Sequence, residues 1–288
     1  MSSKVRKLCI IGDINCSTTR TYVEYLSANN ITIDQIWIIR FCEKEKNLRL
    51  IPKFKNNRVV DRLGSILQRK KCIKPVIKKN FSDICEYIQK QAKVDVIDYS
   101  KDWNPFDYAR NVVYFKAVDI NDQRITDRIK RNKSHVFLYT NGGIVNAKTL
   151  GINQLRMLHI HPGKVPEWRG SDCFIWSAAI RNKLGYSCFY MSTGIDEGDL
   201  ICTEDYDIPL IDNLKELITE NGEEIIYNAI MYGLDPHYRA RLLCKVLVAN
   251  KGKDWSNIKT HKQNESNEAP YLWIHPRLRE RLLLRLGR

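Results

Sequence analysis

The stretch from residue 7 to residue 41 spells out one unit of a parallel sheet, and this limits the fold more than anything else in the chain. Residues 7–11 form a short β-rich run closed by Gly12-Asp13. Ser17-Thr18-Thr19 offers caps for a helix through Tyr22, Val23, Tyr25 and Leu26, which Asn29-Asn30 ends. Residues 36–41, IWIIRF, read as a second buried strand. Strand, helix and strand at this spacing make a βαβ start, and such a crossover joins parallel strands.

The alternation continues through most of the 288 residues. Helical spacing is expected over 59–67, 81–91, 125–132, 146–150 and 171–181. Apolar strand-like runs fall at 94–97, 111–118, 135–139, 157–161, 187–191 and 200–208. The pattern then changes. Residues 213–250 read as largely helical with Pro236 marking a break, 252–269 as a polar loop, and the chain closes on a short element after Tyr271. The expected organisation is an α/β, Rossmann-like core over 1–209 with a mostly parallel sheet, and a short, largely helical extension over 210–288.

Composition narrows the classes. A hydrophobic fraction of 43% supplies a core, and no run of 18 apolar residues suggests a membrane span. The first apolar run stops at Gly12-Asp13, too early for a signal peptide, so a cytoplasmic protein is expected. Nine cysteines, an odd number without any CxxC pair, fit reduced thiols and give no metal-ligand spacing; no metal is expected. The net charge of +14 favours an anionic partner, although the charges are dispersed except in the arginine-rich tail from His275.

The chemistry-bearing residues gather between residues 158 and 200. His159 and His161 alternate on a strand and therefore face together, with Ile160 turned into the core. Pro162-Gly163 ends that strand, and ligands of open α/β sheets bind at strand carboxyl ends. Asp196 comes in a glycine-bracketed turn 35 residues after His161. Such a turn either orients an imidazole with its carboxylate or simply joins two strands, and the local pattern leaves both open. Arg169-Gly170 sets a guanidinium beside a flexible turn, suited to an anionic substrate or to a structural ion pair. Thr140-Asn141-Gly142-Gly143 comes after a strand but matches neither the dinucleotide fingerprint nor the P-loop spacing.

Taken together, HIHPGKVPEWRG and the later DEGD resemble the signature of the 10-formyltetrahydrofolate-dependent formyltransferases. The close match runs over about residues 137–209. The resemblance implies catalytic roles for His161 and Asp196, and 10-formyltetrahydrofolate as co-substrate. It implies a pterin-receiving loop at Thr140, Asn141, Gly142, Gly143, Ile144 and Val145, and substrate contacts at Arg169 and Gly170. One position departs: His159 stands where the family carries a catalytic asparagine whose amide steadies the formyl oxygen. An imidazole N–H offers the same hydrogen bond. Replacement of the donor, a changed donor and loss of activity all fit the sequence, and the first is favoured because His161, Arg169-Gly170 and Asp196 are present.

The compact extension resembles that of the nucleotide-sugar N-formyltransferases, whose acceptor is an aminodeoxysugar on a nucleoside diphosphate made for surface polysaccharide. The basic surplus suits that anionic partner. A methionyl-tRNA-type enzyme would also suit the charge, but hairpin signals for the β-barrel expected of that group are missing after residue 209. The readings from other classes are a folate- or nucleotide-binding pseudoenzyme and transfer of a different one-carbon or carbamoyl group. The apolar run Leu282-Leu283-Leu284 leaves a homodimer contact open.

Overall fold

A computed structural model describes residues 7–41, 77–132, 135–140, 143–153, 155–264 and 269–287. The helix expected over 59–67 lies outside the described residues.

Seven strands form one sheet among these residues: β1 (Lys7–Asp13), β2 (Gln35–Phe41), β3 (Asn111–Ala117), β4 (His135–Tyr139), β5 (Met157–His161), β6 (Leu184–Tyr190) and β7 (Asp199–Tyr206). Their spatial order is β3-β2-β1-β4-β5-β6-β7. Pairing is parallel from β3 through β5, and antiparallel where β6 meets β5 and β7. This is the expected α/β, Rossmann-like architecture. The helices are α1 (Ser17–Ala28), α2 (Lys79–Gln91), α3 (Gln123–Arg131), α4 (Ala147–Leu150) and α5 (Cys173–Arg181) in the sheet region. Then come α6 (Leu214–Asn221), α7 (Glu223–Asn228), a π-helical stretch (Ala229–Leu234), α8 (Asp235–Ala249) and α9 (Pro276–Leu283).

The strand order reverses direction between β1 and β4, the topological switch where such sheets open a crevice. Gly12 sits at that point. A Cβ on it would lie 2.0 Å from Thr19 Oγ1 and 2.4 Å from Thr140 Oγ1. The missing side chain lets α1 come close to the end of β4, where the two threonine hydroxyls are 2.8 Å apart and Thr140 Oγ1 donates to the Ile11 carbonyl. Ser17 and Thr19 therefore do not cap α1 as their types suggest. Cys16 is the cap residue, without a side-chain bond, and Ser17 Oγ donates to the Tyr232 carbonyl at 2.6 Å.

Two further expectations change. Residues 94–97 are not a strand: the Ile97 N–H is satisfied by the Gln89 side chain instead of a ladder partner. Pro236 does not break the helical run either. It occupies the first turn of α8, where its missing N–H costs nothing, and the break falls at Gly222, whose φ of 89° no helix holds. The π-helical stretch just before α8 widens the turn, and its carbonyls find partners on other helices: Tyr232 on Ser17, Gly233 on Gln89 Nε2 at 2.9 Å.

The residues beyond β7 share the main core. Ile226, Ile230, Leu234, Leu242, Leu243, Leu283 and Leu286 are buried in the same apolar cluster as Tyr22, Val23 and Leu26 of α1 and Phe174 of α5. A second cluster on the opposite face, built on Trp37, Phe137 and Ile125, closes the sheet under α3.

Candidate active site

The site assembles at the carboxyl end of β5. Its strand pairs with β6 so that His159 lies opposite Phe189 and His161 opposite Ser187. The two imidazoles face the same side, with ring centroids 6.1 Å apart, and Phe189 packs edge-on to His159 with centroids 5.6 Å apart. Ser187 fixes the chain leaving the strand: its Oγ donates to the Gly163 carbonyl at 2.7 Å and accepts from the Val165 N–H at 3.0 Å. The loop then curls back until the Trp168 carbonyl lies 2.8 Å from His161 Nε2.

A carbonyl only accepts, so His161 Nε2 carries the proton in this bond. His161 is 3% exposed, and burial pushes its pKa below the ordinary histidine value despite the nearby Asp196 carboxylate. The neutral ring thus has its lone pair on Nδ1. That atom faces Asp196 Oδ2 at 3.5 Å. Burial pushes the Asp196 carboxyl up, but His161, His159, the Gly170 N–H and Arg239 outweigh it, and the group is held below the usual carboxylate range.

Asp196 belongs to the connection between β6 and β7 and has φ of 56°. The connection is therefore both a strand-joining turn and a carrier of the carboxylate; the two readings left open by sequence are one object. Two residues hold it. The Gly170 N–H donates to Oδ2 at 2.9 Å, and Gln263 Nε2 donates to the carbonyls of Asp196 and Gly198 at 2.9 and 2.8 Å.

Gly170 also carries the pairing with the C-terminal segment. Tyr271 N–H donates to the Arg169 carbonyl at 2.7 Å, and Ser171 N–H to the Tyr271 carbonyl at 2.9 Å. Trp168 stacks on Tyr271 with centroids 4.9 Å apart. Just beyond, Asp172 accepts from Tyr227 Oη at 2.7 Å and from the Ile274 N–H at 2.8 Å. With φ of 99° and an added Cβ 2.3 Å from the Tyr271 carbonyl, position 170 suits only glycine. Gly170→Ala is expected to lower stability by about 2–3 kcal/mol through backbone strain and the clash. Urea denaturation checks this; a loss under about 0.5 kcal/mol would refute the account.

The other residues expected at the site are spread more widely. Thr140 is buried at the β1–β4 switch. Asn141 and Gly142 lie outside the described residues. Gly143 and Ile144 are exposed, Ile144 by 84%, while Val145 is buried in the second core cluster. The loop is clamped by Asn121, whose Nδ2 donates to the Ile144 carbonyl and whose Oδ1 accepts from the Asn146 N–H. Arg169 is buried, with Nη1 2.6 Å from Glu197 Oε1.

Sequence reasoning missed Arg239 and Asp235 on α8. Asp235 is fully buried and accepts from Tyr186 Oη at 2.8 Å and from Arg239 Nε at 2.6 Å. Arg239 Nη1 reaches the Ile160 carbonyl, between the two site histidines, at 3.3 Å. Its charge opposes protonation of both rings. The i,i+4 pair was visible in DPHYR, but nothing local said that it would lie under β5.

No family model matches the chain. It is 29% identical over 123 residues to the methionyl-tRNA formyltransferase of Rickettsia canadensis (strain McKiel), covering 41% of each chain. To the methionyl-tRNA formyltransferase of Clostridioides difficile (strain 630) it is 28% identical over 111 residues, 38% of this chain and 34% of the relative. The matched part is thus well under half the length of these two relatives. Among solved structures, it overlaps the N-formyltransferase from Helicobacter canadensis in complex with folinic acid and dTDP-3-aminofucose at 13% identity, over 92% of this chain and 70% of that one, with a TM-score of 0.43. It overlaps the phosphoribosylglycinamide formyltransferase from Streptococcus pneumoniae TIGR4 at 13% identity, over 85% and 98%, with a TM-score of 0.42. The curated relatives support the resemblance to formyltransferases read from the signature.

Proposed function

We propose that the chain transfers a formyl group from 10-formyltetrahydrofolate to a primary amine, and that the amine sits on a nucleotide-linked aminodeoxysugar. The observation that carries the reaction is the His161 Nδ1 lone pair held 3.5 Å from the Asp196 carboxylate, with the other ring nitrogen tied to the Trp168 carbonyl. A base so placed takes the proton that the amine loses as it attacks the formyl carbon. The imidazolium formed is stabilised by Asp196 and returns the proton to the departing folate nitrogen. The C–N bond to the acceptor forms, the tetrahedral centre collapses, the C–N bond to the folate breaks, and tetrahydrofolate leaves.

His159 stands in for the family's amide as the donor to the formyl oxygen. Burial pushes its pKa down to about 4 against the raising effect of a hydrogen bond to the Tyr139 backbone, so the ring is neutral near pH 7, and its one N–H passes from that backbone partner to the formyl oxygen when substrate binds. Thr140 to Val145 receive the pterin, and the exposure of Gly143 and Ile144 suits that role. Arg169 and Gly170 serve the acceptor side, Gly170 by holding Asp196. The reading keeps a cytoplasmic setting and a boundary in sequence at residue 209, although residues on both sides of it share one apolar core. No helix among the described residues is long and apolar enough to cross a membrane.

The acceptor is read from the region beyond β7. Among the described residues this region is helical, with isolated bridges only, and a barrel of the kind expected in methionyl-tRNA enzymes is not formed there. The second reading, a tRNA acceptor, is favoured by the names of the curated relatives and by the charge of +14. Incubation with 10-formyltetrahydrofolate and a panel of nucleotide-linked aminosugars, with the products weighed by mass spectrometry, tests the proposal. A product heavier by one formyl group is expected, and Asp196→Asn should reduce its rate about a hundredfold. Formylation of methionyl-tRNA alone would replace the acceptor; folate binding with no formyl release would reduce the protein to a binding module.

A further inference from the structure

Besides the roles given to them in formyl transfer, His159, His161 and Asp196 together have the make-up of a metal-ligand set. One ligand-type atom from each residue lies within 4.8 Å of the other two. His161 Nδ1 and Asp196 Oδ2 lie 3.5 Å apart, longer than a good hydrogen bond, while His161 Nε2 is engaged with the Trp168 carbonyl at 2.8 Å. His159 Nδ1 is buried and has no hydrogen-bond partner. Two imidazoles and a carboxylate converge, and a charge of opposite sign at their centre satisfies all of them.

We propose that these three side chains form a binding site for a divalent late transition-metal ion, with zinc the best match, that is filled when substrates are absent. The ligand set of two histidines and one carboxylate is one that zinc takes in open, three-ligand sites. Bonds of about 2.0–2.2 Å put tetrahedral ligands about 3.4 Å apart. The His161–Asp196 pair already has that spacing, and His159, whose ligand atom lies within 4.8 Å of both, closes the rest on binding. The surroundings are those of a metal ligand: the Nε2–H of His161 donates to the Trp168 carbonyl, and Asp196 is held by the Gly170 N–H. The partly exposed faces of His159 and Asp196 leave a fourth position open to water.

The residue at 159 decides the matter. An asparagine there could serve the formyl oxygen as well as a histidine, but its amide is a poor ligand for this class of ion, whereas imidazole is a good one. Tautomer exchange lets the same ring donate to an oxyanion or offer a lone pair. The ligands come from two segments 35 residues apart, which is why spacing rules for paired ligands showed no metal site. The ion would lie where amine and formyl carbon must meet, so metal and substrate exclude one another.

Cobalt(II), a spectroscopic stand-in for zinc, tests this on the full chain without folate or amine, so the result is separate from whether formyl transfer occurs. One ion per chain is expected, with visible d–d absorption of a four- or five-coordinate nitrogen–oxygen site, displaced by zinc. His159→Asn and Asp196→Asn should each weaken cobalt binding at least about tenfold. His159→Gln replaces His159→Asn if the latter lacks a cooperative metal-free thermal transition. Binding unchanged in these variants, thiolate-to-cobalt charge-transfer bands, or no uptake of one ion by the unsubstituted protein would each overturn the proposal.

Discussion

His161→Ala should lower turnover in formyl transfer by about 10²–10⁴-fold, with the Michaelis constant for the folate moving far less. The change removes the one lone pair that the Trp168 carbonyl and the buried setting prepare to accept the amine proton. It removes nothing assigned to holding the pterin, so the loss belongs to the chemical step. Steady-state release of tetrahydrofolate, measured against both substrates, separates the two constants. Turnover within about threefold of the unsubstituted protein would show that another group moves the proton.

Asp235→Ala should cost about 3–5 kcal/mol of stability. Removing the carboxylate strands the Arg239 guanidinium under β5 and deprives Tyr186 Oη of its acceptor. Replacing both partners tests the cause. The double variant Asp235→Ala with Arg239→Met should recover most of the loss, because an apolar pair of similar bulk leaves no buried charge unpaired. Urea denaturation at fixed pH reads both. A single-variant loss under about 1 kcal/mol, or a double variant no better than the single, would refute the account.

The sheet was legible because its strands obey local rules. HVFLY is buried at every residue of β4, as a central parallel strand should be, and the βαβ spacing at the start predicts parallel pairing without reference to anything distant. The His–Asp pair was legible because His161 ends a strand closed by Pro162-Gly163 and Asp196 sits in a turn bracketed by glycines. The features that sequence did not reveal depend on partners far along the chain. Ser17 and Thr19 have the types of cap residues, yet their hydroxyls are taken by Tyr232 and Thr140. Residues 94–97 look like a strand, but Gln89 satisfies the backbone there. Gln263 and Tyr271 come from a polar stretch and a short aromatic cluster with no local sign of a role, and both clamp the Asp196 turn or its neighbour.

The pairing of Gly170 with Tyr271 also sets an order on events during biosynthesis. His161 and Asp196 leave the ribosome together with the strands that carry them, but Tyr271 is 75 residues behind Asp196. At about 5–20 residues per second, a growing chain that has reached Asp196 carries a Gly170 loop unpaired with Tyr271 for about 4–15 s. Through that interval the sheet can form while the loop that seats the carboxylate has no strand to lean on. Competence of the nascent polypeptide thus waits on the segment around Tyr271, which arrives together with core residues that lie beyond β7.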